Sequence, residues 1–236
     1  PWLGGQATSQ GVSAMDEHDH IETFGATASY YEFREAIRNQ YRQLYELNDA
    51  ARAAPFFNPG EGWVSRLCFE PSVGVLALVG MLLPEIEAGR LQILYRVRPV
   101  SAQTDGGRIT AVTVAGQETE NCEIRATWFL DATELGDLLP LVKTPWITGA
   151  ESHDQTGEPA ARQDGPAPQL TQTWTMPFVV DMCPGEDHRI EPPPGYEQMR
   201  DQQPFTLTMT YGSRDLTYKV FEAVADLPGA FWTYRR

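Results

Sequence analysis

Basic residues are scarce in this chain: 18 lysines and arginines face 32 aspartates and glutamates, a formal charge of −14 over 236 residues. A surface of that sign repels phosphate backbones and anionic lipid, which argues against nucleic acid and membrane surfaces as partners. Long apolar runs are lacking too. The nearest, Val73 to Leu83, stops at Pro84 and Glu85 and falls short of the roughly 20 residues a membrane-spanning helix needs. No basic-then-apolar leader opens the chain, and Pro1-Trp2-Leu3-Gly4-Gly5 reads as the interior of something longer. Cysteine is sparse. Cys68, Cys122 and Cys183 are odd in number and far apart, and match neither a Cys-x-x-Cys redox pair nor a zinc-ligand spacing. They read as small buried hydrophobes in a reducing, cytoplasmic setting, with no metal. What the chain does have is 42% apolar and 21% charged residues, enough to bury a core.

The apolar pattern predicts mixed elements. Residues 1–26, rich in Gly, Ser and Thr, read as a structured loop. Ser29 with Glu32 forms a capping box, followed by Tyr30, Phe33, Ile37, Tyr41 and Leu44 at helical spacing, a core-packing stripe that must stop by Pro55. Asn58 to Gly62 is a turn cluster. A second helix runs from Pro71, suited to a first helical position, to Ala88, with Gly89 as its stop and a kink expected near Pro84. The period then changes. Strands are expected at 91–97, 99–104 and 108–115, the last two joined across Asp105-Gly106-Gly107, a strong hairpin signal. Residues 124–132 read as a strand whose end, Ala126 to Leu130, suits burial on both faces in a parallel sheet, followed by a short helix from Glu134 or Leu135 to Val142. Residues 148–168 are a long loop. Further strands are expected at 169–180, with Trp174 and Phe178 on one face, and at 205–211, with a rigid turn at Pro192 to Gly195 between them.

Two stretches carry chemistry. In Asp131-Ala132-Thr133-Glu134-Leu135-Gly136-Asp137, a strand ends in small residues that let a ligand approach the backbone. The helix behind offers N–H groups, and Asp131 and Asp137 are placed to accept bonds from sugar-like hydroxyls. The competing reading is structural, with Asp as a helix cap and Gly as a turn. In Gly4-Gly5-Gln6-Ala7-Thr8, paired glycines let a backbone come close to a phosphate or flavin edge and Thr8 adds a donor, although such a pair is often just a turn.

These stretches together resemble the FAD-dependent oxidoreductases of glutathione-reductase-like fold. The resemblance runs through Trp2 to Val12, Asp16-Glu17-His18, Asn58-Pro59-Gly60, Gly62 to Cys68, Arg98-Pro99-Val100, Asp131 to Pro140, Thr148 to Glu151, Thr156 to Pro159 and Pro184 to His188. It implies that Gly4, Gly5, Gln6 and Thr8 lie against the pyrophosphate and flavin side of FAD, and that Val97 falls in the strand whose backbone meets the adenine ring. It also implies that Ala132 and Thr133 fill a strand-end Ala-Thr-Gly motif in which Glu134 replaces glycine, with Asp131, Gly136 and Asp137 beside them. The family's opening strand, Gly-x-Gly-x-x-Gly turn and helix are not present, so the chain reads as an internal fragment lacking that unit and the C-terminal part.

The expected fold is therefore α/β: a Rossmann-like FAD/NAD(P)-binding domain at 1–149 with a small antiparallel β insertion, and part of a mainly β substrate domain at 150–236. The expected function is hydride transfer between FAD and a small organic molecule, the cofactor performing the chemistry. No side chain must be catalytic. His18, in an acidic cluster that favours its charged form, is the candidate base or anion anchor; His153, His188 and His20 rank behind it. Three other classes compete. One is a cofactor-free remnant or interaction domain of the same fold. Another is a Ser/His hydrolase, disfavoured because Gly11-Val12-Ser13-Ala14 is not a nucleophile elbow. The last is a metal enzyme built on Asp16, Glu17, His18 and His20, which lack the i,i+4 spacing of helical zinc sites.

Overall fold

A computed structural model describes residues 2–117, 120–174, 176–181, 183–224, 227 and 229–234. Pro1, Thr175 of the strand expected at 169–180, and the terminal Arg235 and Arg236 lie outside these. The chain divides into two compact units: one is Ile93–Met176, the other combines Trp2–Gln92 with Pro177–Arg236. Among the described residues no helix is long and apolar enough to cross a membrane.

The discontinuous unit is built on two long helices, α1 (Ala28–Leu44) and α3 (Pro71–Glu87), with a short α2 (Asp49–Ala53) between. The cap of α1 is Thr27, not Ser29. Thr27 has extended backbone and its hydroxyl accepts the Tyr30 N–H at 3.3 Å, which leaves Ser29 inside the first turn. The helix ends at Leu44, well before Pro55 needs to stop it, and Asn48, accepting the Ala51 N–H, starts α2 in the gap. Phe33, Ile37 and Tyr41 of α1 pack with Val73 and Ala77 of α3 and with Phe57, Leu67 and Phe69 from the connecting loop. Phe33 and Phe69 meet edge to face at 6.4 Å. Leu44 departs from the expected stripe and is exposed.

Arginine occupies part of that inward face. Arg34 and Arg38 stand one turn apart on α1 with side chains 1% and 3% exposed. Both are answered by carboxylates from the N-terminal loop. Glu17 takes Arg34 together with the Tyr30 hydroxyl at 2.7 Å and the Ser65 hydroxyl at 2.8 Å. Glu22 takes Arg34 at 2.5 Å and Arg38 at 2.6 Å, and Arg38 Nε donates to the Phe57 carbonyl at 2.9 Å. Tyr41 supplies a second polar tie. Its hydroxyl accepts the Glu70 backbone N–H at 2.8 Å, serving the N-terminus of α3 where Glu70 itself makes no side-chain cap.

The same unit holds a hairpin, β4 (Thr206–Tyr211) and β5 (Arg214–Lys219), and a helix α6 (Tyr196–Gln202) after the Pro192–Gly195 turn. Trp63 anchors the hairpin: its indole stacks on Tyr218 at 5.3 Å, lies 4.5 Å from Tyr234, and donates to the Thr233 hydroxyl at 3.2 Å.

The continuous unit is built on a three-stranded antiparallel sheet, β1 (Val97–Asp105), β2 (Arg108–Gly116) and β3 (Cys122–Arg125), in that order. The expected hairpin forms: Asp105 pairs Arg108, and Gly106 and Gly107 take φ of 55° and 80°, the left-handed pair a two-residue hairpin turn requires. Three strand expectations fail. Residues 91–96 are irregular because Arg96 adopts φ 55° and ends any extended run. Residues 126–132 leave the sheet after β3, with Trp128 80% and Leu130 89% exposed, and among the described residues no parallel sheet covers them. The described part of 169–180 is irregular as well, and Trp174 and Phe178 are exposed. Short helices α4 (Leu138–Leu141) and α5 (His153–Thr156) complete this unit. The architecture is thus mixed α and β with antiparallel sheets.

Of the three free cysteines only Cys68 is the buried hydrophobe expected; Cys122 and Cys183 are half-buried.

Two predictions follow from the helical unit. Glu17→Ala leaves Arg34 with one carboxylate in place of two, and should cost about 3 kcal/mol of stability; a denaturation midpoint matching the parent would refute that role for the pair. Burial, reinforced by Glu17, raises the Tyr30 pKa well above that of an exposed phenol, and burial does the same to Tyr41. Above pH ~10 the folded state therefore holds protons that the unfolded state has lost, so this stability is fully present below that pH and declines as pH rises. Thermal melts taken at rising alkaline pH should show the decline, shallower in Tyr30→Phe, and a flat profile would count against it.

Candidate functional site

The Asp131–Asp137 stretch is a knot closed by its own side chains. Asp131 Oδ1 accepts the backbone N–H of Thr133 at 2.9 Å and its hydroxyl at 2.7 Å, and Oδ2 accepts the Leu138 N–H at 2.9 Å. The Thr133 hydroxyl accepts in turn from the Asp137 N–H at 2.7 Å. Asp131 therefore caps α4 from seven residues upstream, a service that Asp137, the residue at the cap position, does not perform with its own side chain. The helix N–H expected to face a ligand is answered by Asp131 instead. These bonds, first that from the Thr133 N–H, hold the Asp131 carboxyl below the ordinary aspartate range. Glu134, where a glycine is expected, keeps ordinary backbone. The left-handed residue is Gly136, φ 67°, where a Cβ would lie 2.8 Å from Leu139 Cδ1.

An open pocket of about 380 Å³ lies over this knot, lined by Pro99, Val112, Ile124, Phe129, Leu130, Asp131, Ala132, Thr133 and Leu138. Val112 and Ile124 are cross-strand partners, so the floor is the face of β2 and β3. The wall is the Phe129–Leu130 segment that leaves the sheet. Val97 begins β1, paired with Gly116, and is half-buried at the edge of the same sheet. The pocket is chiefly apolar, with one ionised carboxylate and small side chains at its rim. Its floor was missed in sequence because Val112 and Ile124 read as residues of two strands with no sign that the strands pair, and Phe129 and Leu130 as buried strand.

Gly4, Gly5, Gln6 and Thr8 belong to the other unit. They form one tight turn, with Gly5–Ala7 a single 3₁₀ turn. Gly4 at φ 113° has no room for a side chain: a Cβ would sit 2.3 Å from Thr8 Oγ1. Thr8 is 1% exposed, its hydroxyl donating to the Leu3 carbonyl, and its own carbonyl accepts from the Trp2 indole at 3.0 Å. The Thr8 donor is thus engaged within the turn. Gly5, also left-handed at φ 48°, and exposed Gln6 are what this turn presents outward; nothing lies within 4 Å of a Cβ built on Gly5.

His18 is exposed and folded back on its own loop. Its Nδ1 accepts the His20 N–H at 3.1 Å, and its ring lies 5.5 Å from Phe24. A Cβ at Gly25 would strike its Nε2 at 2.2 Å. The acidic cluster around it is divided, since Glu17 turns inward to Arg34. His153 is exposed at the start of α5, where its backbone N–H meets the Arg162 carbonyl at 2.8 Å. His188 lies 2.7 Å from Glu186.

The sequence model of the FAD dependent oxidoreductase family matches residues 1–229. The chain belongs to that family, a group of flavoprotein oxidoreductases whose cofactor is FAD. Comparison with curated proteins and with solved structures gives no match.

The Asp131 carboxyl should titrate below the ~3.9 of a free aspartate, and Thr133→Val, which deletes one donor, should bring it upward. Carboxyl NMR across the acid range checks this. Equal values in the two proteins would mean that the Thr133 hydroxyl does not reach it in solution.

Proposed function

We propose that this chain serves a flavin-dependent reaction in which a small organic substrate exchanges a hydride with FAD, and that the pocket over Asp131–Thr133 receives one planar ring system of the cofactor. The carrying observation is the pocket itself: apolar on its sheet face, about 380 Å³ in volume, and rimmed by Ala132 and Thr133. That volume suits one ring system, not a whole dinucleotide, so the fit is to a part of FAD. Val112, Ile124 and Leu130 would press on the ring faces, and Ala132 would leave its backbone open to approach. Asp131 would hold the rim in shape through its three accepted bonds and keep a fixed negative charge there. In the other unit, Gly5 and Gln6 are the members of the Gly4–Thr8 turn open enough to lie along a phosphate or ring edge. FAD, when bound, supplies the electron-pair chemistry; the side chains described here position and shield.

The experiment is FAD binding followed by flavin fluorescence, in this protein and in Ala132→Trp, whose indole fills the pocket. Affinity should fall at least about tenfold, or about 1.4 kcal/mol. Equal binding would remove the ring from this pocket. Failure of both proteins to bind would favour an interaction domain without cofactor.

A further inference from the structure

A third set of chemistry-bearing side chains lies outside both stretches, in Cys183-Pro184-Gly185-Glu186-Asp187-His188. The Glu186 N–H donates to the Cys183 carbonyl at 3.2 Å and Gly185 has φ 86°. This is the closure of a turn with Pro at its second position and left-handed Gly at its third, which sets the first and fourth residues side by side. His188 follows Glu186 by two residues, the spacing that returns a side chain to the same side of an extended chain. The outcome is geometric: the Cys183 sulfur, a Glu186 carboxylate oxygen and a His188 ring nitrogen all lie within 4.8 Å of one another. Among the described residues no other three His, Cys, Asp or Glu side chains converge in this way.

We propose that Cys183, Glu186 and His188 form a three-ligand site for a zinc-class divalent cation, with water in the fourth position. Thiolate, carboxylate and neutral imidazole are the donors such a cation takes, and the sulfur disfavours magnesium and calcium. Two anionic donors balance the charge of the ion. Asp187, between two of the ligands, is held away by Arg189 at 2.5 and 2.8 Å, so it neither competes nor adds a third negative charge. Metal–sulfur and metal–nitrogen bonds of about 2.3 and 2.0–2.1 Å place tetrahedral donors roughly 3.5 Å apart. The 2.7 Å Glu186–His188 contact would open by under ~1 Å to admit the ion, and the sulfur, within 4.8 Å of both, would draw in by at most about 1.3 Å. Because all three donors are solvent-accessible, the ion enters without the fold opening. A search for Cys–Cys spacings passes over this site because two of its donors are not cysteine.

The test loads the full chain with zinc under a thiol-free reductant, removes excess by gel filtration, and counts retained metal; cobalt then replaces zinc as a spectroscopic probe. Retention of about one ion per chain is expected, with a thiolate-to-cobalt charge-transfer band. Cys183→Ser should abolish both and His188→Ala should weaken binding at least tenfold, while Asp187→Ala leaves both intact. Equal zinc retention by Cys183→Ser, a cobalt complex without the thiolate band, or loss of binding in Asp187→Ala would each overturn the site. The readouts do not depend on flavin.

Discussion

The discontinuous unit depends on two arginines that its first helix buries. A guanidinium 1% exposed is tolerable only where carboxylates meet it, and the carboxylates come from the loop before the helix. Glu17 and Glu22 therefore do more than neutralise. Through Ser65 and the Phe57 carbonyl the same network reaches the segment that carries Trp63, and through Trp63 the C-terminal hairpin. An N-terminal loop with almost no regular structure is thereby fastened to a two-helix core, and the Gly4–Thr8 turn keeps its shape at one end of that fastened loop.

The continuous unit relies on a different device. Its sheet is held by backbone ladders, and the pocket rim by one side chain, Asp131, whose two oxygens organise the exit from β3 into α4. A carboxylate with three donors is both a rigid corner and a fixed charge. In the proposed reading the corner leaves room for a ligand: Ala132 carries only a methyl group, and the pocket floor of Val112 and Ile124 lies below it.

Much of this was legible in sequence, and the reasons are local. Asp105-Gly106-Gly107 encodes its own turn, Pro71 and Gly89 bracket their own helix, and the stripe Phe33–Ile37–Tyr41 follows the helical period. What failed depended on partners. Trp128 to Leu130 reads as doubly buried strand because apolarity reports a preference for burial and not whether a neighbouring strand supplies it. Ser29 lost the cap to Thr27 because two hydroxyls stand two residues apart and only backbone geometry chooses between them. The roles of Asp131 as a cap and of Thr8 as an internal donor were hidden for a related reason. Polar side chains in a loop satisfy their own backbone first, and a sequence displays the donor without displaying its acceptor. The family was readable because order along the chain, unlike contact, is preserved in sequence.

Cys68 has a use apart from stability. Its thiol is fully enclosed, burial raises its pKa, and its backbone N–H is held by Asn58 at 2.6 Å beside the core residues Leu67 and Phe69. An alkylating reagent reaches such a sulfur only when that core opens. The chain thus carries its own chemical clock: the labelling rate at this one atom times the breathing of the helical unit, read against the faster, partly exposed thiols elsewhere in the same molecule.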